Sequence, residues 1–286
     1  MSLYRGMDSE KLEIEYSPSS MTGGEYLSFI QQYKIESARA RQLVTVDLDT
    51  EYGDQPGQVV DFYHASGPDS PLHVFIHGGY WQELASKDAA TMARPLVNNG
   101  VSLGVVNYTL APEASIDQMV DECYSALRHL LINASDFGID PRNVSLSGHS
   151  AGAQLVMHML SRYQADELLQ GVRLVVLISG IYDLVPICFT SINKMLRLDA
   201  EKARDLSPLF NISSISIPIL IAVAQNDTRE FRRQARDYFE QLCSARVPCR
   251  LVEVRNRNHF DIVLNWDADP QEILNTILES NQADFD

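Results

Sequence analysis

The stretch 144-VSLSGHSAGAQLVMHML-160 changes character in its middle, and its reading decides the fold. Val144 and Leu146 alternate with serines as a strand does, and from Ala153 the chain reads as a helix. Between them Ser150 stands in Gly148-His149-Ser150-Ala151-Gly152, the pattern G-x-S-x-G. A serine nucleophile placed at a strand-to-helix corner takes strained backbone angles, and flanking glycines leave room for neighbouring elements to pack against it. The corner lifts Oγ out of the sheet, while the helix beneath turns its first amides toward developing negative charge. The same five residues also fit a serine N-cap between turn glycines. The pentapeptide by itself does not separate the two readings.

The surrounding rhythm supplies context. Short apolar runs recur at 72–78, 101–108, 143–148, 172–180, 217–225 and 249–256. Helical patterns lie between and after them at 86–99, 115–133, 151–163, 229–245 and 270–279. Continuous Val, Ile and Leu runs separated by helices predict a parallel sheet buried on both faces. Two alternating stretches at 43–48 and 58–64, joined by the turn-rich DTEYGDQPG, predict an N-terminal hairpin. The fold class is therefore α/β, with an eight-stranded, mostly parallel sheet and helices on both faces. Residues 180–216 exceed an ordinary crossover and form a candidate small cap over the sheet's C-terminal edge, where open α/β sheets bind ligands. Residues 1–42 read as an N-terminal extension and helix, and 43–286 as the main domain. Residues 1–21 are polar and are expected to wrap loosely over the surface. Thr22 is a candidate cap for a helix over 24–41, with Tyr26, Phe29, Ile30, Tyr33 and Ile35 on one side.

Composition narrows the function classes. The 286 residues are 45% apolar and 21% charged, which allows a sizeable core. A net charge of −15 argues against nucleic-acid and anionic-membrane partners, both of which need basic surface. No segment approaches the roughly 18 apolar residues of a membrane span, and the charged first twenty residues carry no secretory h-region. The expected location is cytoplasmic, with Cys123, Cys188, Cys243 and Cys249 as reduced thiols. Metal-ligand spacing does not occur, so no metal is expected, and phosphate-binding glycine loops are absent too. The expected partner is a small molecule. Oligomeric state is not legible, and a homodimer stays open.

A serine hydroxyl needs a base, an acid and an oxyanion site. His259, in RNRNHFDIV after the last strand, is the candidate base, because nucleophile, acid, histidine is the chain order of the α/β-hydrolase fold. His149 neighbours the nucleophile and is expected to point away from it. Asp227, directly after the seventh strand, is the favoured acid. Asp183, after the sixth, is its rival and otherwise a cap or loop residue. The acid would hold His259 in one tautomer and stabilise its imidazolium. Backbone amides of Ala151 and of the Gly78-Gly79-Tyr80 loop after the third strand are the candidate oxyanion donors.

These residues resemble a family. HGGYW at 77–81, GHSAGAQL at 148–155, SGIYDLVPICFTSIN at 179–193, ARDLSPL at 203–209, AQNDTREFRRQARDYFEQL at 224–242 and YSPS at 16–19 are similar to segments of the kynurenine formamidases, or arylformamidases. The resemblance covers nearly the whole chain. It implies an α/β-hydrolase with a Ser150–Asp227–His259 triad and no cofactor. It also implies hydrolysis of an N-formyl aromatic amine to formate and the free amine. A small-acyl aryl esterase or amidase on the same triad is the alternative, and a catalytically silent binding protein is a third reading. Large residues beside the oxyanion loop, Tyr80 and Trp81, are expected to narrow the acyl side. Trp81, Tyr108, Tyr182, Phe189 and Phe260 are candidates to line an aromatic substrate pocket, although each also fits an ordinary core aromatic.

Overall fold

The computed structural model describes residues 2–212, 215–268 and 271–282. Eight strands form one sheet: β1 Val46–Glu51, β2 Val59–Tyr63, β3 Ser70–Ile76, β4 Ser102–Val106, β5 Ile139–His149, β6 Val172–Ile178, β7 Ile219–Ala224 and β8 Cys249–Val254. Their order is β1-β2-β4-β3-β5-β6-β7-β8. β2 runs antiparallel to both neighbours, and every pair from β4 to β8 is parallel. The expected hairpin and the six strands after it are all present, but β8 stands at the sheet edge and is only partly buried, not covered on both faces.

The helices are α1 Ser9–Glu15, α2 Tyr26–Leu43, α3 Ala93–Asn98, α4 Ile116–Ile132, α5 Ala134–Phe137, α6 Ala151–Arg162, α7 Asn193–Leu196, α8 Ala200–Asp205, α9 Arg229–Ser244 and α10 Glu272–Gln282. Strand residues alternate between two cores, which is why their sequences read as continuous apolar runs. Leu72, Val74 and Ile76 of β3 pack with Met119, Val120 and Leu127 of α4 and Leu155, Val156 and Met159 of α6 on one face. Phe75, Leu103, Val105 and Val176 pack with Tyr33 of α2, Leu96 of α3 and Ile277 of α10 on the other. Local signals place the starts: Ser115 and Gln118 form a reciprocal capping box at α4.

Several expectations are corrected. Of the segment 1–21, the described residues 2–21 do not wrap loosely: Leu12 and Tyr16 are fully buried against the main core. Thr22 does not cap α2, which begins at Tyr26 after Glu25; its hydroxyl instead donates to Ser19 O. The helix expected over 86–99 is helical only as a 3₁₀ turn at Ser86–Asp88 and as α3. Ile35 faces solvent, off the packed stripe of α2. Pro270, where the last helical pattern was expected to begin, lies outside the described residues, as do 213–214 of the cap segment.

Candidate active site

Ser150 sits between the end of β5 and the start of α6 with φ 55° and ψ −118°. Such a backbone costs on the order of 1–3 kcal/mol and persists only where surroundings impose it. The surroundings are visible: Ser150 N donates to Ile178 O at 2.8 Å, and β5 is clamped between β3 and β6. The glycines answer to close backbone approach. A Cβ on Gly148 would lie 2.3 Å from Gly152 O, and one on Gly152 would lie 2.1 Å from Ile76 O. A side chain at Gly148 would push the first turn of α6 off the end of β5, and one at Gly152 would push that turn off β3.

Asp227 and His259 meet across two loops. After β7, Asp227 N donates to Ala224 O, and Asn226 N donates to Arg257 O at 2.9 Å, tying the loop after β7 to the one after β8. His259 Nδ1 lies 3.2 and 3.1 Å from the two Asp227 carboxylate oxygens. Both side chains are buried, with 5% and 0% exposure, so water barely competes for this contact. Asp227 Oδ1 also accepts from Thr228 N at 3.1 Å, and Thr228 caps α9. The rival, Asp183, is engaged elsewhere: its carboxylate accepts from Tyr4 Oη and from Val185 N.

The loop after β3 turns sharply under Ser150. Gly79 has φ +99°, a conformation glycine adopts without strain, and its carbonyl accepts from the amides of Gln82 and Glu83. A Cβ on Gly78 would lie 3.0 Å from Ser150 Cβ, so this loop presses directly on the elbow. Ala151 opens α6, where first-turn amides have no intrahelical acceptor.

Ser150, His259, His149, Gly79 and Tyr80 border one cavity of about 340 Å³. Its walls come from segments that motif reading missed. Tyr26, Ile30 and Tyr33 of α2 form one side, and Glu13, Ser17 and Ser19 another. The N-terminal segment is strapped down by polar contacts. Thr228 Oγ1 donates to Glu15 O, Tyr80 Oη to Tyr16 O, and Ser191 N to Glu13 Oε2. The Tyr26/Ile30/Tyr33 stripe and the YSPS segment are legible in the sequence, but nothing local ties either of them to Ser150.

Of the five aromatic candidates only Phe260 borders this cavity; the other four are corrected. Trp81 is fully buried and donates from Nε1 to Gln154 Oε1 at 3.0 Å. Tyr108 stacks on His77 and donates to its carbonyl. Tyr182 stacks on Tyr238, and Phe189 packs against the core. Large aromatics near a site are often claimed by the core, which gains more from their area than an open pocket does. His149 has its own partner here. It borders the cavity, and its Nε2 lies 2.8 Å from His259 O. Burial, with His259 and His77 nearby, pushes its pKa well below the ordinary histidine value.

Residues 73–262 match the model of the alpha/beta hydrolase fold. Two curated relatives are kynurenine formamidases of Danio rerio and Salmo salar, 34% and 35% identical, each over 92% of this chain and 93% of the relative. The chain belongs to the kynurenine formamidase family of α/β-hydrolases. It is a hydrolase. Among solved structures, a candidate thioesterase from Silicibacter superposes with TM-score 0.83 at 24% identity, over 94% of this chain and 99% of that one. Esterase B of Lactobacillus rhamnosis gives 0.74 at 18% identity, over 93% and 96%. These likenesses show the shared fold. Among the described residues no group of His, Cys, Asp and Glu is placed to hold a metal ion, and no helix is long and apolar enough to cross a membrane.

Proposed function

We propose that the chain hydrolyses the formamide bond of N-formyl aromatic amines, of which N-formylkynurenine is the type, through a formyl-enzyme. The observation that carries this reading is His259, seated on Asp227 through Nδ1 while it borders the same cavity as Ser150. With Nδ1–H donated to the carboxylate, Nε2 is the free basic atom. It removes the Ser150 proton as Oγ attacks the formyl carbon. The amides of Gly79, Tyr80 and Ala151 take the oxyanion. The C–N bond then breaks as His259 gives its proton to the leaving amine. Water, deprotonated by the same histidine, attacks the formyl ester and releases formate and Ser150.

Two further observations favour a formyl group and an amine-bearing substrate. Tyr80 borders the cavity beside Gly79, and its hydroxyl is tied to Tyr16 O, so its ring is held in place against the acyl side. Trp81 faces the core and does not border the acyl side. The cavity walls carry Glu13 and Glu83, and no lysine or arginine is among the lining residues. Opposite charges attract in so confined a space, so an ammonium group on the substrate faces these walls and a carboxylate points to solvent. A cytoplasmic setting fits four cysteines that form no disulfide among the described residues.

The test assays N-formylkynurenine beside phenyl formate, acetate and butyrate. Turnover of the formyl substrates, abolished in Ser150→Ala with the melting temperature retained, is expected. Substantial turnover by Ser150→Ala would sink the nucleophile. Butyrate turnover equal to or above formate would replace the formamidase reading with a general esterase.

A further inference from the structure

The buried imidazole of His149 takes no part in the proton transfers above, yet it meets the main chain and the ring of the histidine that does. Its Nε2 is 2.8 Å from the main-chain oxygen of His259. A carbonyl has no proton to give, so the proton is on Nε2 and His149 is the donor. Its other nitrogen, Nδ1, faces Gly78, where a Cβ would stand only 3.2 Å away. The ring packs on that of His259 at 4.8 Å between centroids. Among the described residues this is the only hydrogen bond from the Gly148–Gly152 elbow to the loop carrying His259. The rest of that loop is anchored elsewhere: Arg257 O accepts from Asn226 N, and Phe260 O accepts from Tyr33 Oη at 2.6 Å. Between those two anchors, the carbonyl of His259 is held by His149 alone among the described side chains.

We propose that His149 is a positioning residue, whose neutral Nε2–H clamps the main chain of His259 to the elbow that carries Ser150. The inference rests on the reading of Ser150 as nucleophile and His259 as base. The carbonyl and the imidazole of His259 share one Cα, so releasing the carbonyl lets the base swing relative to Oγ. The geometry of proton transfer, rather than substrate affinity, is what the clamp governs.

Three variants and one spectrum test it. His149→Leu removes the donor at similar volume; His149→Phe keeps an aromatic ring without one; His149→Gln returns an amide N–H close to the Nε2 position. A base displaced by about 1 Å costs on the order of 10²-fold in rate. His149→Leu and His149→Phe are therefore expected to lose roughly 10- to 100-fold in kcat with KM little changed. His149→Gln should recover most of the loss. Wild-type kcat in His149→Leu, or a His149→Gln as slow as His149→Leu, would overturn the proposal. Should the variants not fold, ¹⁵N-histidine spectra of the intact wild-type protein decide. The expected pattern for His149 is the neutral Nε2–H tautomer at neutral and mildly alkaline pH; an Nδ1–H tautomer or an imidazolium there would overturn it. That spectrum does not depend on turnover, so failure of the clamp is distinguishable from failure of the nucleophile, which Ser150→Ala reports.

Discussion

Replacing Asp227 by asparagine isolates the electrostatic half of the site. Asp227 Oδ1 accepts from Thr228 N at 3.1 Å, and this amide cannot turn away because Thr228 caps α9. In Asp227→Asn the single carbonyl oxygen stays on Thr228 N–H, because the amide nitrogen has no lone pair to offer it. The NH₂ group is then left facing His259 Nδ1, which today lies 3.2 and 3.1 Å from the carboxylate. To meet a donor, Nδ1 must become an acceptor, and the ring proton moves to Nε2. That atom can no longer take the Ser150 proton, and the imidazolium loses its counter-charge. Tautomer inversion of this kind costs about 10⁴-fold in kcat, or about 5.5 kcal/mol of transition-state stabilisation. The assay is kcat on N-formylkynurenine, with the melting temperature confirming the fold. Asp183→Asn serves as control, since that carboxylate is held by Tyr4 and Val185 N and has no contact with His259. A loss below about tenfold in Asp227→Asn, or a larger loss in Asp183→Asn, would refute the reasoning.

Three other outcomes are expected. Gly152→Ala places a methyl 2.1 Å from Ile76 O, a clash with backbone that no rotamer relieves; stability falls by about 3 kcal/mol or more, read as a lower urea midpoint, and an unchanged midpoint would contradict the packing. Tyr33→Phe strips the 2.6 Å hydrogen bond from buried Phe260 O and costs about 1–3 kcal/mol by the same measurement. Acid weakens the fold through the buried histidines. His73 and His77 are pushed down to about 3 and about 4 by burial, so the unfolded chain binds their protons first. The stability they confer is complete above about pH 6.5 and is lost toward pH 4 at up to about 1.4 kcal/mol per pH unit for each; a stability flat between pH 6.5 and 4.5 would deny it.

Some of this molecule was legible as sequence. Ser150 and Asp227 follow strands with clear apolar runs, His259 follows the more mixed CRLVEV, and the structure brings Asp227 and His259 into contact and sets Ser150 and His259 on one cavity. Gly148 and Gly152 were readable because close backbone approach leaves only one residue type. The walls of the cavity were not. Which aromatics serve it depends on side-chain direction at turns, and Trp81 at φ 62° is rotated into the core while Tyr80, one residue before, stays on the cavity. The N-terminal segment was misread because its polarity is spent on partners far along the chain, Thr228, Glu230 and Gln234 among them.

By itself, then, the sequence determined the sheet, the elbow and the order of the groups around it, because strand periodicity and turn sterics are local. Only the tertiary structure decided what encloses Ser150 and which groups the His149 ring meets. Both depend on contacts between residues more than 100 positions apart, such as His149 with His259 and Tyr33 with Phe260, which no local pattern encodes.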